Sequence, residues 1–213
     1  MSTMKDLQFW DRIASKYAKG PIRDEAAYQQ TLDRTRANFK PTDRVLEIGC
    51  GTGTTAIKLA PDAEGILGTD LAPAMIGIAR QRALEAGAEN VTFSVAPVED
   101  LPEGPFDVVM GFNLLHLLRD LNGSLADISA RLRPGGLFIS KTVCMTGTGV
   151  PLWMRGLLLV LPVMQLIGKA PYFRKISVRA LEEAITRAGL EIVETGNYPD
   201  KPPRRFIVAR KPG

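Results

Sequence analysis

The chain has 213 residues, of which 45% are hydrophobic, and its net charge is +4. This length allows one domain with a substantial core over residues 1–213, without disulfides or metals to stabilise it. The two cysteines, Cys50 and Cys144, form no CxxC pair, which argues against a disulfide framework and a structural zinc site. The N-terminal residues lack the basic and then apolar pattern of a signal peptide, so we expect a cytoplasmic protein in a reducing compartment.

The first predicted element is an amphipathic helix in the stretch LQFWDRIASKYA, residues 7–18. Spacings of three and four residues place Leu7, Trp10, Ile13 and Tyr17 on roughly one face of this helix. Such a face usually packs on a core, so an ordinary amphipathic core helix is one interpretation of the segment.

A glycine motif follows in residues 45–53, VLEIGCGTG. Its apolar residues are typical of a buried strand, and Gly49, Gly51 and Gly53 remove the Cβ atoms that would hold a ligand away from the backbone. The next residues can begin a helix whose free N–H groups point at the loop. The dinucleotide fingerprint requires glycine at its sixth position, where this chain has Thr54, so the motif argues against NAD.

Strands and helices then alternate along the chain. Strands are predicted at residues 45–48, 65–69, 91–96, 106–111, 136–140, 190–195 and 204–209. Helices are predicted at residues 54–60, 74–86, 121–132 and 178–188. This alternation predicts a mostly parallel sheet with helices on both faces and a ligand beyond the carboxyl ends of its strands.

The most unusual segment is VPLWMRGLLLVLPVMQLIGKAPYFRK, at residues 150–175. Residues 156–168 carry no charge, so as a helix they would be apolar on all sides, and Pro162 is expected to interrupt them. They are too few to span a bilayer at about 1.5 Å rise per residue. Aromatic and basic residues flank them, and residues 151–213 carry 11 Lys or Arg against 5 Asp or Glu. The segment either lies in an anionic membrane interface or covers a ligand pocket.

Four motifs in this order resemble those of class I S-adenosylmethionine (SAM)-dependent methyltransferases. They are the glycine motif with Glu47, GILGTDLAPAMI with Asp70, FDVVMGFNLLHLL at the fourth strand and LRPGGLFI at the fifth. The resemblance covers residues 9–140, and the chain is similar to the small-molecule branch, in particular to quinone-biosynthesis methyltransferases. It implies a Rossmann-like fold with a mostly parallel seven-stranded sheet, helices on both faces and an antiparallel last strand. Residues 145–176 would form an apolar insertion that covers the acceptor side.

The resemblance also implies SAM as the methyl donor and S-adenosylhomocysteine as the product. The implied cofactor-binding residues are Tyr17, Glu47, Gly49, Cys50, Gly51, Gly53, Asp70, Leu71, Met75, Val98, Glu99 and Asn113. Glu47 would lie near the cationic methionyl end, where a carboxylate suits an ammonium and a sulfonium but repels a pyrophosphate. Asp70 would accept hydrogen bonds from both ribose hydroxyls, and Leu71 and Met75 would contact the adenine. For both acids, a loop or helix cap is the alternative role.

Two positions depart from the family pattern. Many relatives place an Asp that accepts a hydrogen bond from the adenine amino group where this chain has Pro97, so Val98 N–H and Glu99 are the candidate partners that remain. Tyr17 resembles the tyrosine of a segment that lies over the donor as a lid, although the Asp that usually follows it is Ala18 here.

Two polar residues follow the fourth predicted strand, at the ligand edge of the sheet. His116 is the only histidine in the chain, and it is the candidate base if the acceptor is a phenol or an amine with a proton to lose. The alternative is a packed, hydrogen-bonded histidine without a catalytic role. Asn113 would approach the methionyl part of the donor, and a turn former is the equal alternative. We expect no metal in the site.

We therefore expect a SAM-dependent methyltransferase that acts on a small or lipid-like apolar acceptor. Two alternatives are an S-methyltransferase for a small thiol or sulfide, and a non-catalytic SAM-binding regulatory protein. The letters NLLH at residues 113–116 replace the Asn/Asp-Pro-Pro-aromatic motif of enzymes that methylate flipped bases, so we expect no nucleic-acid acceptor. Peripheral membrane contact through residues 152–175 would agree with a lipophilic acceptor.

Overall fold

The computed structural model describes residues 4–146, 152–200 and 203–213. The helices are α1 (Met4–Lys19), α2 (Glu25–Arg36), α3 (Thr54–Leu59), α4 (Pro73–Ala86), α5 (Leu121–Arg131), α6 (Leu152–Leu166) and α7 (Val178–Arg187). The strands are β1 (Arg44–Ile48), β2 (Gly65–Asp70), β3 (Val91–Val95), β4 (Phe106–Phe112), β5 (Leu132–Val143), β6 (Glu191–Asn197) and β7 (Arg204–Arg210). Short 3₁₀ turns occupy Ala60–Asp62 and Leu115–Leu117.

The strands form one sheet in the order β3-β2-β1-β4-β5-β7-β6. β1 to β5 pair in parallel, and β7 runs antiparallel to both β5 and β6. This confirms the Rossmann-like fold predicted from the sequence, including its antiparallel last strand. The strand order reverses between β1 and β4, so their carboxyl ends border the crevice in which sheets of this type bind ligands.

Helices cover both faces of the sheet. On one face, α2, α3 and α4 pack on strand residues that include Val45, Val108 and Phe206. On the other face, α5 and α7 pack on Leu46 and Phe138. These five side chains are almost inaccessible to solvent. Alternate residues of a strand point to opposite faces, so this core also fixes the face on which each polar residue of a strand lies.

Two helices differ from what the sequence predicted. α2 was not predicted from the sequence, because two of its four buried residues are Thr31 and Thr35, and these polar residues interrupt the apolar periodicity of the helix. The expected interruption at Pro162 was wrong: α6 continues through it to Leu166. The proline ring removes one backbone hydrogen bond, and the remaining turns keep the helix intact. In the parts of the chain that the structure describes, no helix is long and apolar enough to cross a bilayer.

Candidate cofactor and acceptor site

The glycine motif forms the loop between β1 and α3, and its glycines serve different purposes. Gly51 has φ +54°, and a Cβ placed on it would meet only the ring of Tyr17, at 3.8 Å. Gly53 has φ +75°, and a Cβ there would clash with the ring of Phe93, at 2.6 Å. Gly49 is similarly confined by a leucine side chain. Gly51 therefore opens the backbone to a ligand, whereas the other two glycines allow the loop to pack on its neighbours.

Asp70 ends β2 and holds this loop in place. Its Oδ2 accepts a hydrogen bond from the N–H of Gly51 at 3.0 Å, and its Oδ1 accepts one from the N–H of Ala72 at 2.9 Å. Burial raises the pKa of Asp70, and the two N–H donors act in the opposite direction. Each carboxylate oxygen keeps a second lone pair, so Asp70 can accept two ribose hydroxyls while it still holds the loop.

Glu47 lies inside the protein, beneath α3. It is 3% exposed, and its Oε2 has no hydrogen-bond partner among the described residues. Burial raises the pKa of Glu47 to about 8, while the backbone N–H of Ala56 lowers it. A buried carboxyl with an unmatched oxygen suits a cationic ligand group, because a cation beside it would favour the charged form. The α-ammonium of SAM is such a group, so these residues fit that cofactor.

Replacing Glu47 with Gln is expected to stabilise the ligand-free protein, and more so at about pH 8 than at about pH 5. The unfolded chain ionises this carboxyl near pH 4.5, whereas the folded chain ionises it only near pH 8. The wild-type free energy of unfolding therefore falls as the pH rises through this window, by an amount on the order of 2–5 kcal/mol. The variant lacks this loss.

Urea unfolding at several pH values between these limits measures the difference between the Glu47→Gln variant and the wild type. The exposed Glu64, changed to Gln, is the matched control. An advantage of Glu47→Gln that stays constant with pH would contradict a buried, ionisable Glu47.

α1 lies over the start of α4 and contributes to its structure. Ala14 of α1 forms a small core with Ala72 and Met75. The carboxylate of Asp11 accepts a hydrogen bond from the N–H of Ala74, at 2.8 Å, in the first turn of α4. The N-cap residue of α4, Ala72, has no capping side chain of its own. Asp11 therefore replaces the missing cap from a different helix.

Arg82 of α4 joins the end of α1 to the glycine loop. Its guanidinium donates to the hydroxyls of Thr52 and Thr54, at 2.7 and 2.9 Å, and to the carbonyl of Ala18, at 2.6 Å. Three hydrogen bonds from one planar group hold these two segments at a fixed separation. Neither Asp11 nor Arg82 was predicted as a site residue, because each resembles an ordinary surface residue of a helix in the sequence.

Tyr17 brings an aromatic ring to the mouth of the loop. It is 54% exposed, and its ring makes an edge contact with that of Trp10 at a centroid distance of 6.3 Å. Partial burial of the phenol raises the pKa of Tyr17, and the negative charges of Asp70 and Glu47 raise it further. Tyr17 is therefore close to both acids, and α1 lies over the loop that they flank.

The other residues implied for the cofactor differ in their accessibility. Cys50 and Val98 are buried, Leu71 is half-buried and Glu99 is exposed. Met75 is 2% exposed within the contact between α1 and α4, so it offers little surface to an adenine in this arrangement. Within the described residues, no group of His, Cys, Asp and Glu could hold a metal ion.

His116 lies in the 3₁₀ turn after β4, at the same carboxyl edge. It is 6% exposed, and its ring centroid is 5.0 Å from that of Phe173. Burial lowers the pKa of His116 to about 4, and the positive charge of Arg204 contributes. Its Nδ1 has no hydrogen-bond partner in the described part of the chain. His116 is therefore a neutral imidazole at physiological pH, with one nitrogen free of protein hydrogen bonds.

Residues 168–174 connect α6 to this turn and to α1. The carboxylate of Asp6 accepts a hydrogen bond from the N–H of Tyr172 and forms an ion pair with Arg119, both at 3.0 Å. The guanidinium of Arg12 donates to a backbone carbonyl of the same segment at 2.5 Å. α1, the 3₁₀ turn and residues 168–174 thus enclose one side of the carboxyl edge.

Two cations at this edge, Lys141 and Arg204, were not predicted from the sequence. Lys141 is 4% exposed in β5, and its Nζ donates to the hydroxyl of Thr31 at 2.7 Å and to the carbonyl of Ala27 at 3.3 Å. Burial lowers the pKa of Lys141 to about 8, and the positive charge of Arg204 contributes to this decrease. The available signal was a lysine in the apolar stretch FISKTV.

Asn113 has φ +55° and donates its N–H to the Lys141 carbonyl at 2.7 Å, as a turn former does.

The sheet order, the glycine loop and the acids at the carboxyl ends of β1 and β2, Glu47 as the last residue but one of β1 and Asp70 as the last residue of β2, define a Rossmann-like protein that binds SAM. The chain belongs to the methyltransferase domain family, whose family model matches residues 39–160. It is therefore a SAM-dependent methyltransferase, as the sequence motifs predicted.

Two similar proteins are named for different substrates. The chain is 27% identical to the ubiquinone biosynthesis O-methyltransferase of Xanthomonas axonopodis pv. citri (strain 306), over 87% of this chain and 76% of that protein. It is 34% identical to the tRNA 5-carboxymethoxyuridine methyltransferase of Escherichia coli (strain K12), over 63% of this chain and 55% of that protein. These names leave the type of acceptor open.

Solved structures share the fold. The SAM-dependent methyltransferase of Mesorhizobium loti superposes with a TM-score of 0.70 at 21% identity, over 87% of this chain and 98% of that one. The [4+2]-cyclase SpnF superposes with a TM-score of 0.77 at 20% identity, over 99% of this chain and 98% of that one. At these identities the likeness extends to the fold alone.

Proposed function

We propose that this methyltransferase acts on a small apolar or lipid-like acceptor held beside His116. The observation that carries the proposal is the neutral, buried imidazole of His116, packed against Phe173 at the carboxyl edge. Neighbouring residues of the turn, Leu115 and Leu118, are also buried and apolar. The Xanthomonas relative, which is named for ubiquinone biosynthesis, supports an acceptor of this chemistry.

The residues of the site would divide the work between donor and acceptor. When bound, SAM supplies an electrophilic methyl group on its sulfonium. Asp70 and the Gly51 backbone hold the ribose side, and Glu47 binds the ammonium. The imidazole of His116 accepts the proton that a phenol or an amine loses. α1, with Tyr17, excludes water as a lid, so orientation and desolvation contribute the remainder of the acceleration.

We place nucleic acid outside the acceptor class. Basic residues of the C-terminal third form ion pairs, with Arg179 bonded to Glu183 at 2.7 Å and Arg205 bonded to Glu182 at 2.5 Å. The stretch NLLH at residues 113–116, in place of the Asn/Asp-Pro-Pro-aromatic motif of enzymes that methylate flipped bases, is the main support for this exclusion. Because the Escherichia coli relative is named for tRNA, the test of function must include tRNA.

Mass spectrometry of candidate acceptors incubated with protein and SAM tests the proposal. The candidates are alkyl-substituted phenols, small alkyl thiols and bulk tRNA. We expect the alkyl phenols to gain the mass of one methylene unit. A gain on the thiols alone would identify an S-methyltransferase, and a gain on tRNA alone would overturn the proposal. Binding of SAM without any transfer would point to a regulatory protein.

We also infer that α6 touches anionic membranes, from which a lipophilic acceptor would enter the site. The exposed apolar residues of α6 and the turn after it are Val160, Val163, Leu166 and Ile167, which are 51%, 58%, 76% and 56% exposed. Lys169 and Lys175, which follow this apolar surface, are exposed as well. An apolar stripe with cations beside it is typical of a segment that lies in a membrane interface.

Changing both Val163 and Leu166 to Ser is expected to remove binding to anionic vesicles. A fully buried apolar side chain contributes about 1.5–3 kcal/mol, and a Lys near an anionic surface adds about 1 kcal/mol. Sedimentation with anionic and neutral vesicles, at low and high salt, measures the apolar and the electrostatic contributions to binding. Salt should weaken only the electrostatic contribution. Leu84→Ser is the matched control, because Leu84 is 77% exposed on α4. If the wild type sediments with neither vesicle, α6 only covers the pocket.

A further inference from the structure

Buried polar atoms without partners gather near the acceptor edge. Among the described residues, the side-chain atoms of this kind are Glu47 Oε2 in the cofactor site and, away from it, His116 Nδ1, Ser140 Oγ, Thr142 Oγ1 and Arg204 Nε. Arg204 is half-buried, but its Nε–H is inaccessible to solvent, and a buried N–H without an acceptor is costly because it has lost its hydrogen bonds to water. Arg204 is therefore the member of this set that most needs a ligand.

Strand register places Arg204 next to Lys141. Arg204 lies opposite Val143 in the antiparallel pair of β5 and β7, and Lys141 lies opposite Phe206. Because side chains alternate along a strand, Arg204 and Lys141 are diagonal neighbours on the face that α2 covers. Arg205 projects to the opposite face, where it is bonded to a glutamate of α7.

The positive charges of this pair are not balanced by a nearby ion pair. Lys141 donates to a hydroxyl and a carbonyl of α2, and the Arg204 side chain forms no ion pair in the described chain. The charge of Asp24 raises the pKa of Lys141, but one oxygen of this carboxylate already caps the N–H of Ala27. The charge of Arg204 lowers the pKa of both Lys141 and His116, so its guanidinium lies within electrostatic range of the base and of the lysine.

We propose that Arg204 and Lys141 bind an acidic group of the acceptor, a carboxylate or a phosphate attached to the apolar part that packs beside His116. The inference rests on the proposed function, since it adds an anionic group to the same acceptor. An oxyanion can accept a hydrogen bond from the unmatched N–H of Arg204 and another from a free N–H of Lys141. Its negative charge also neutralises these two neighbouring cations. The acceptor is then an amphipathic acid.

Calorimetry with three ten-carbon probes tests this site in the presence of saturating S-adenosylhomocysteine. The probes are decanoate, decyl phosphate and the neutral decanamide. The wild type is expected to bind at least one charged probe about 10-fold or more tightly than the amide. Arg204→Gln should remove this preference, and Arg204→Lys should retain part of it. Arg205→Gln, on the opposite face of β7, is the matched control and should keep the wild-type preference.

Equal affinity of the wild type for all three probes would overturn the inference. This measurement uses the wild type alone, so it does not depend on whether a variant folds. An equal loss in Arg204→Gln and Arg205→Gln would overturn it too. The charged probe that binds more tightly distinguishes a carboxylate from a phosphate. Titration with S-adenosylhomocysteine alone separates the two proposals. A wild type that does not bind S-adenosylhomocysteine would contradict the proposed function. A wild type that binds it but does not discriminate among the three probes would contradict only this inference.

Discussion

Replacing Asp70 with Ala is expected to weaken SAM binding by about 30- to 1,000-fold, which corresponds to roughly 2–4 kcal/mol. The variant loses an acceptor for two ribose hydroxyls. It also loses the hydrogen bonds that hold the N–H groups of Gly51 and Ala72, so the loop no longer keeps the conformation that receives the donor. Both losses act on donor affinity, and the second also lowers the free energy of unfolding.

Calorimetry of SAM and S-adenosylhomocysteine binding measures the effect, with urea unfolding as the check on folding. Asp70→Asn should give an intermediate loss, because an amide keeps one oxygen acceptor. Asp127→Ala is the control, since Asp127 is exposed on α5. The wild type should not bind NAD, because Thr54 stands where the dinucleotide fingerprint requires glycine. Unchanged SAM affinity in a folded Asp70→Ala variant would place the donor elsewhere.

The sheet could be predicted from the sequence because each of its inner strands is an apolar run bounded by glycine, proline or polar residues. Glu47 and Asp70 were recognisable because they lie in motifs that resemble those of SAM-dependent methyltransferases, and the structure shows both acids buried. Lys141 is also a charged residue in an apolar strand, but the strand was predicted to end at residue 140, so the prediction did not include the lysine. β5 extends to Val143, and its pairing with β7 buries Lys141.

Contacts between distant helices could not be predicted in this way. Arg82 and Ala18 are 64 residues apart, and Asp11 and Ala74 are 63 residues apart. Nothing in the local spacing of a surface arginine or aspartate distinguishes a residue that joins two helices from one that faces water. The register of α1 on α4 decides this, and that register depends on the packing of Ala14 against Met75. The position of α1 over the loop therefore emerges only from the tertiary structure.

Replacing His116 with Phe is expected to lower the turnover of a phenol acceptor by about 10²–10⁴-fold, with donor affinity unchanged. Phe keeps an aromatic ring against Phe173 and removes both nitrogens. The folded chain holds the pKa of His116 at about 4, so the imidazole is neutral throughout the physiological range and loses its capacity to accept a proton only as the pH falls through that value. The wild-type turnover should therefore show no titration of this histidine from about pH 6 upward.

The same lowered pKa gives a readout that does not depend on turnover. The unfolded chain binds a proton on His116 near pH 6.5 and the folded chain only near pH 4, so the wild-type free energy of unfolding falls as the pH drops through this window. His116→Phe should lose this acid dependence, which urea unfolding measures. A folded His116→Phe variant with full turnover would contradict the role of His116 as a base. Orientation and exclusion of water would then be the whole mechanism, as for an acceptor that is already ionised near neutral pH, such as a thiolate.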